Sequence, residues 1–343
     1  YYTPGVGQVS SYIARHKKEA RDLTIKGNTV AVVSDGSRVL GLGNIGPEAA
    51  LPVMEGKAMI FKEFAGIDAF PIVLATQDTE EIVRTIRYIS PAFGAINLED
   101  IAAPGCFEIE RQLQKTLPLF VMHDDQHATA IVVLAGFLNA FRVAKKNLKT
   151  SKIVVIGAGA AGSATAKLLV AYGAQNIVVV DEKGILSAKR KGMNPYQKEL
   201  ARMTNKKNTQ GTIQDALVGA DAMVGLSAPN IVRLQDVERM AKKPIVFALA
   251  NPVPEIMPQD AKRGGAFIVA TGRSDFENQV NNALVFPGVF RGALDHGVKK
   301  ITWAMKIRAA KALASLVKNP NRNAIVPSLF DPRVVKTLAS VIQ

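Results

Sequence analysis

Two adjacent acidic pairs, Glu99-Asp100 and Asp124-Asp125, place four carboxylates in one stretch of a chain whose formal charge is +14. Carboxylates are hard oxygen donors, and with no cysteine beside them they suit Mg²⁺ or Mn²⁺ better than zinc. A blander reading stays open, in which strand-end carboxylates cap the next helix, as Asp124 or Asp125 would for a helix beginning near Gln126. Two such pairs at consecutive strand ends favour the metal. Just downstream, the apolar run from Lys152 leads into Gly157, Gly159 and Gly162, the three glycine positions of a dinucleotide fingerprint. The first glycine permits a tight turn, the second a close approach to a pyrophosphate, and the third close packing of helix on sheet. Ala160, Ala161 and Gly162 then offer the free N–H groups of a helix N-terminus to the phosphates. Asp181 closes the next apolar run, 19 residues past Gly162, where a carboxylate accepts from a ribose 2′-OH. Glu182 doubles the negative charge there and favours NAD over NADP, although Lys183 and the basic loop behind it offer a 2′-phosphate a partner. A metal and a redox cofactor on one chain point to metal-assisted oxidation of a small acid.

Two basic residues fall near the same carboxylates. Arg38 follows an apolar run within Asp35-Gly36-Ser37-Arg38, and a guanidinium there grips a carboxylate with two parallel hydrogen bonds. Lys57 sits in a mostly apolar helical segment, Pro52 to Ile60. In poor solvent beside a cation its pKa would fall and it would serve as a base; by spacing alone, a surface lysine is the plainer reading.

Those residues need a scaffold, and the periodicity supplies an α/β one. Short apolar runs at Thr29–Ser34, Ala69–Ala75, Gly94–Leu98 and Leu117–Met122 alternate with helix-length amphipathic segments, the pattern of a parallel sheet with crossover helices. A long helix is expected over Gln126 to Lys146. A second alternation follows, with strands at Ile153–Ile156, Ile177–Val180, Ala222–Gly225, Ile245–Ala248 and Ala266–Val269. Helices are expected at Ala160–Tyr172, Pro195–Met203, Val232–Ala241 and Ile301–Val317. Ligands of open parallel sheets gather beyond the carboxyl ends of the strands, so both acidic pairs are expected to face one site.

Composition excludes several classes. With 343 residues, 48% hydrophobic and 21% charged, the chain has the makeup of a two-domain globular protein and not of a disordered or fibrous one. No unbroken apolar run approaches the roughly 18 residues of a membrane span, and no membrane association is expected. The single Cys106 precludes an intrachain disulfide, and a cytoplasmic location is expected. The chain opens on Tyr1 rather than Met, so a short preceding segment is expected. The basic excess is densest from Lys183 to Lys207, where Tyr196 is the one aromatic; without a stacking platform, nucleic-acid binding is not expected.

Seven ordered segments carry a resemblance across nearly the whole chain: Tyr2 to Gly7, Val33 to Asn44, Glu55-Gly56-Lys57, Asn97 to Asp100, His123 to His127, Phe247 to Pro252 and Asn281 to Gly288. Together they resemble the malic enzymes of the small microbial type. The resemblance implies oxidative decarboxylation of L-malate to pyruvate and CO₂ with reduction of NAD, NADP being less favoured, and a need for Mg²⁺ or Mn²⁺. By motif, Glu99, Asp100 and Asp125 would ligate the metal, with Asp124 beside them. Lys57 would be the general base and Tyr2 the general acid. Arg38 would hold a malate carboxylate, while Asn251 and Asn282 would orient substrate and nicotinamide. It also implies two domains: a smaller parallel-sheet domain for substrate and metal (residues 1–128) and a Rossmann-like NAD-binding domain with C-terminal helices (129–343). A homodimer is implied, in which the tyrosine segment comes from either subunit. A malolactic or oxaloacetate decarboxylase activity on the same scaffold is the alternative. Ala128 departs from the glycine expected after His127, and the small size implies no fumarate or ATP control.

Overall fold

The computed structural model describes residues 2–343. Its first sheet contains β1 (Thr29–Ser34), β2 (Asp68–Val73), β3 (Ala95–Leu98) and β4 (Phe120–His123), ordered β2-β1-β3-β4, with all three pairings parallel. Every residue of β1 is buried, as the β-branched run Val30 to Val33 requires of a strand covered on both faces. The helix Pro47–Ala65 returns the chain from β1 to β2; proline starts it and Gly66, at φ 64°, ends it. The helix Thr79–Ile89 is capped by Asp78, whose carboxylate accepts from the N–H groups of Glu80 and Glu81.

The second sheet contains β5 (Lys152–Ile156), β6 (Asn176–Asp181), β7 (Gly184–Ile185), β8 (Ala222–Gly225), β9 (Ile245–Ala248) and β10 (Ile268–Thr271), ordered β10-β9-β8-β5-β6-β7. All its pairings are parallel except β6 with β7. The helix Ala160–Tyr172 joins β5 to β6, and Trp303–Ser315 and Arg333–Ala339 lie at the C-terminal end. This is an α/β architecture with two sheets.

The differences from the periodicity have local causes. The run at Leu117 begins pairing only at Phe120, because the preceding helix continues to Thr116 and Pro118 has no N–H for a ladder. The helix expected over Val232–Ala241 shrinks to Leu234–Glu238. Strand β7 is two residues long, too short for any periodic signal.

The helix Asp124–Ala144 runs between the sheets. It is long and apolar enough to span a bilayer, but it is largely buried in the protein interior. One continuous apolar core includes Val30 and Val32 of the first sheet, Ile131 to Phe137 of this helix, and Val155 and Phe247 of the second sheet. The carboxyl ends of β3, β4 and β5 thereby open on a common cleft.

Candidate active site

The cleft encloses about 860 Å³ and is lined by Arg38, Lys57, Glu99, Asp100, Asp125, Asn251 and Asn282, together with Gly157 to Ala161 and Asp181. Residues as far apart in the sequence as Arg38 and Asn282 thus meet in one place.

Lys57 is at the centre and is buried at 7% exposure, not a surface lysine. Its Nζ lies 2.8 Å from Glu99 Oε1 and 2.6 Å from Asp124 Oδ2, and 4.2 Å from the centre of the Phe286 ring. Asn282 Nδ2 also donates to Asp124 Oδ2, at 2.6 Å, and Asn97 Nδ2 donates to Glu99 Oε2 at 2.8 Å. Burial pushes the Lys57 pKa down, but the charges of Asp124, Glu99 and Asp125 outweigh it and the net shift is upward. In the metal-free chain the carboxylates hold the lysine proton firmly; the lowered value is expected for Lys57 beside a cation.

The carboxylates show the opposite strain. Burial, then the Asp125 charge, pushes Asp100 up to about 8; burial likewise raises Glu99 and Asp124. Four carboxylates face one ammonium, leaving an excess of negative charge. Oxygens of Glu99, Asp100 and Asp125 lie within 4.8 Å of one another. Among the described residues, none hydrogen-bonds the buried Asp100 Oδ2 and Asp124 Oδ1, a costly state for a polar atom. Asp100 adopts φ 54°, a left-handed backbone uncommon outside glycine; its N–H donates to Asp125 Oδ2 at 2.9 Å, and its C=O accepts from the Arg38 N–H at 3.0 Å. The all-oxygen donor set, the orphaned atoms and the excess charge fit a divalent cation.

The capping alternative fails on the helix itself. The N-cap of Asp124–Ala144 is His123, whose Nδ1 accepts from the Gln126 N–H at 3.3 Å. Asp124 and Asp125 are therefore in the first turn, free to face the cleft.

Behind that turn is a buried chain of polar groups that sequence reasoning missed. Lys306 Nζ donates to His127 Nδ1 at 2.9 Å, and His127 Nε2 faces Glu110 Oε1 at 2.9 Å. Glu110 Oε1 also accepts from the His123 N–H at 2.9 Å. Burial lowers the pKa of His127 and brings Lys306 down to about 8. Burial pushes Glu110 up, but His127 and the His123 N–H more than offset it and hold the carboxyl at about 2. Neutral His127 thus accepts at one nitrogen and donates at the other. This chain ties the carboxylate-bearing turn to a C-terminal helix 179 residues away.

The opposite wall is the glycine turn. Gly157 has φ 112°, and a Cβ there would lie 2.5 Å from Leu226 O; a Cβ on Gly162 would lie 1.9 Å from Gly157 O. At Gly159 a Cβ would meet nothing within 4 Å, so the empty space in front of it is a cradle that a side chain would fill. The helix Ala160–Tyr172 begins there with no side-chain cap, leaving its first N–H groups for an anion. These features fit a dinucleotide. Asp181 ends β6 in the same cleft, but its carboxylate is engaged by Arg190 and Gln197.

Tyr2 is not brought to this site. It is 81% exposed and does not line the cleft. The helix that follows it, Gly5–Arg15, has no buried residue, and Val6, Val9 and Tyr12 along it are exposed.

Residues 1–114 match the family described as "Malic enzyme, N-terminal domain", and residues 127–340 match "Malic enzyme, NAD binding domain". The chain is 54% identical to the NAD-dependent malic enzyme of Geobacillus stearothermophilus, covering 99% of this chain and 72% of that one. It is 52% identical to the bifunctional malic/malolactic enzyme of Bacillus subtilis, covering 99% and 84%. The crystal structure of NAD-dependent malic enzyme from Thermotoga maritima superimposes with a TM-score of 0.96 at 48% identity, covering 99% of this chain and 90% of that one.

Proposed function

The chain belongs to the malic enzyme family, and from that membership we propose how its cleft performs the oxidative decarboxylation of L-malate to pyruvate and CO₂ with reduction of NAD. One observation carries the assignment of roles: the Lys57 ammonium suspended between Glu99 and Asp124, beside Asp100 and Asp125.

Glu99, Asp100 and Asp125 would hold Mg²⁺ or Mn²⁺. When bound, that cation would polarise the substrate oxygens and the dinucleotide would accept hydride. Arg38, exposed at the rim, grips a malate carboxylate. Lys57, as the neutral amine once positive charge offsets the surrounding carboxylates, would take the C2 hydroxyl proton, and Asp124, itself fixed by Asn282, would keep Nζ aimed at that atom. A base so positioned contributes about 10²–10⁴ in rate. Asn251 and Asn282 would orient substrate and nicotinamide at the glycine wall, where Gly157, Gly159, Ala160, Ala161 and Gly162 would hold the pyrophosphate.

Loss of CO₂ leaves C3 in need of a proton, and Tyr2 supplies it. Because Tyr2 stands outside its own cleft on an arm with no buried helical residue, the proton comes from the partner subunit of a homodimer. The exposed Val6, Val9 and Tyr12 give that arm an apolar face for docking.

The test is a coupled assay with malate, NAD and Mn²⁺. NADH and pyruvate should form in equal amounts, EDTA should abolish both, and Mn²⁺ should restore them. NADH without pyruvate, or turnover indifferent to EDTA, would dismiss the assignment. The bifunctional relative from Bacillus subtilis supports a second activity, conversion of malate to lactate and CO₂ with no net consumption of NAD. Lactate measured in the same mixture tests it.

A further inference from the structure

We propose that Arg190 sets the choice between NAD and NADP, and that it gives the cleft a site for the 2′-phosphate of NADP as a second cofactor. The proposal rests on the dinucleotide reading of the glycine wall.

The sequence pattern treats Asp181 as an acceptor waiting for a ribose hydroxyl, but the structure shows it full. Oδ1 accepts from the Lys183 N–H at 2.8 Å and from Arg190 Nη1 at 2.7 Å. Oδ2 accepts from Gln197 Nε2 at 3.0 Å and from Arg190 Nη2. A carboxylate has about four lone-pair sites, so none is left over. Arg190 also donates to Gly184 O at 2.9 Å, and its side chain is 15% exposed. The β6–β7 hairpin places it there, since the antiparallel pairing of Val180 with Ile185 folds the basic loop back over the strand end.

Each cofactor must therefore displace a partner, and the two displace different ones. A ribose 2′-OH needs one acceptor site. Gln197 holds Asp181 by a single hydrogen bond from an uncharged donor, so it yields before the bidentate ion pair and the fork between Arg190 and Asp181 stays closed. A 2′-phosphate brings up to two negative charges next to Asp181 and Glu182 and is tolerated only if a cation meets it. Arg190 fits phosphate as well as it fits carboxylate, by the same two parallel bonds. On its transfer to the phosphate, Asp181 keeps the Gln197 and Lys183 N–H bonds and is not left bare. NADP thus opens a charged pair that NAD leaves intact, so NAD is preferred and NADP is accepted.

The test is calorimetric binding of adenosine 2′,5′-bisphosphate and of AMP to the purified protein, which reads the 2′-phosphate without turnover. Arg190→Ala should lower the affinity ratio of bisphosphate to AMP at least tenfold, and Arg190→Lys should recover part of it. Asp181→Asn, which frees Arg190, should raise that ratio. An unchanged ratio in Arg190→Ala, with both ligands still bound, overturns the role of Arg190 and leaves the dinucleotide site standing. If neither ligand binds the unmodified protein, the dinucleotide reading falls and the proposal with it. A thermal melt of each variant identifies any ratio that changes through misfolding.

Discussion

The carboxylates at the two ends of the cleft are in opposite conditions. Around Lys57, four acids crowd one ammonium, and two of their buried oxygens have no partner. At the end of β6, a single acid has four donors. The first end is short of positive charge and the second is satisfied. An under-compensated site gains stability from whatever brings charge to it, whereas a satisfied site gives up one partner for every one it takes.

The sharpest way to break this contrast is to remove the ammonium. Lys57→Ala should reduce kcat for malate oxidation by a factor of about 10²–10⁴; a loss below tenfold would remove Lys57 as the base.

A large effect is also expected from the missing charge. Mn²⁺ at about 100 times its dissociation constant should stabilise the protein by ~2.7 kcal/mol, read as a rise in Tm. Asp125→Asn should need a higher Mn²⁺ concentration for the same rise, and an identical titration would take Asp125 out of the ligand set.

Neutralising single acids should move metal-free stability in opposite directions. Asp181→Asn leaves the Arg190 fork unmatched and should cost about 1–3 kcal/mol in urea unfolding. Asp100→Asn should be close to neutral below about pH 8, where the Asp100 carboxyl keeps its proton, and stabilising above it, where it relieves repulsion. Its pH dependence sharpens the point. A group held up at about 8 in the folded chain and titrating near 3.8 in the unfolded one binds its proton more tightly when folded, so metal-free stability falls as pH rises across that window. The Asn variant should show a shallower fall, and a parallel pH profile would count against the crowding.

The smallest signal comes from mixing subunits. Tyr2→Phe and Lys57→Ala variants, each impaired alone, should on random reassociation recover about one quarter of normal activity if the tyrosine acts across the dimer. No recovery would place Tyr2 in its own subunit.

Much of this contrast was readable in the residues and part was not. The runs at Thr29–Ser34, Ala222–Gly225 and Ile245–Ala248 begin and end where their strands do, because a buried parallel strand is a local composition signal. The acidic pairs and the glycine turn stood out for the same reason. What stayed hidden depends on distant partners. Lys57 reads as a surface lysine until helix, β3 and the Asp124 turn close around it. The basic loop behind Lys183 was legible as a partner for a phosphate, but that Arg190 closes on Asp181 itself was not, since that depends on a two-residue strand. His123 displaced both aspartates as helix cap, a choice between adjacent residues that residue type alone would have decided the other way. The chain from Lys306 to Glu110 joins parts of the sequence that share no pattern.

The helix Asp124–Ala144 carries one last consequence. It is the floor of both sheets, and its apolar surface is covered from either side. Cutting the chain at either end of it would leave one half without its floor and the other with an oily cylinder in water. The nucleotide-binding half is therefore no portable module to be grafted elsewhere, and heat should melt both halves in a single transition.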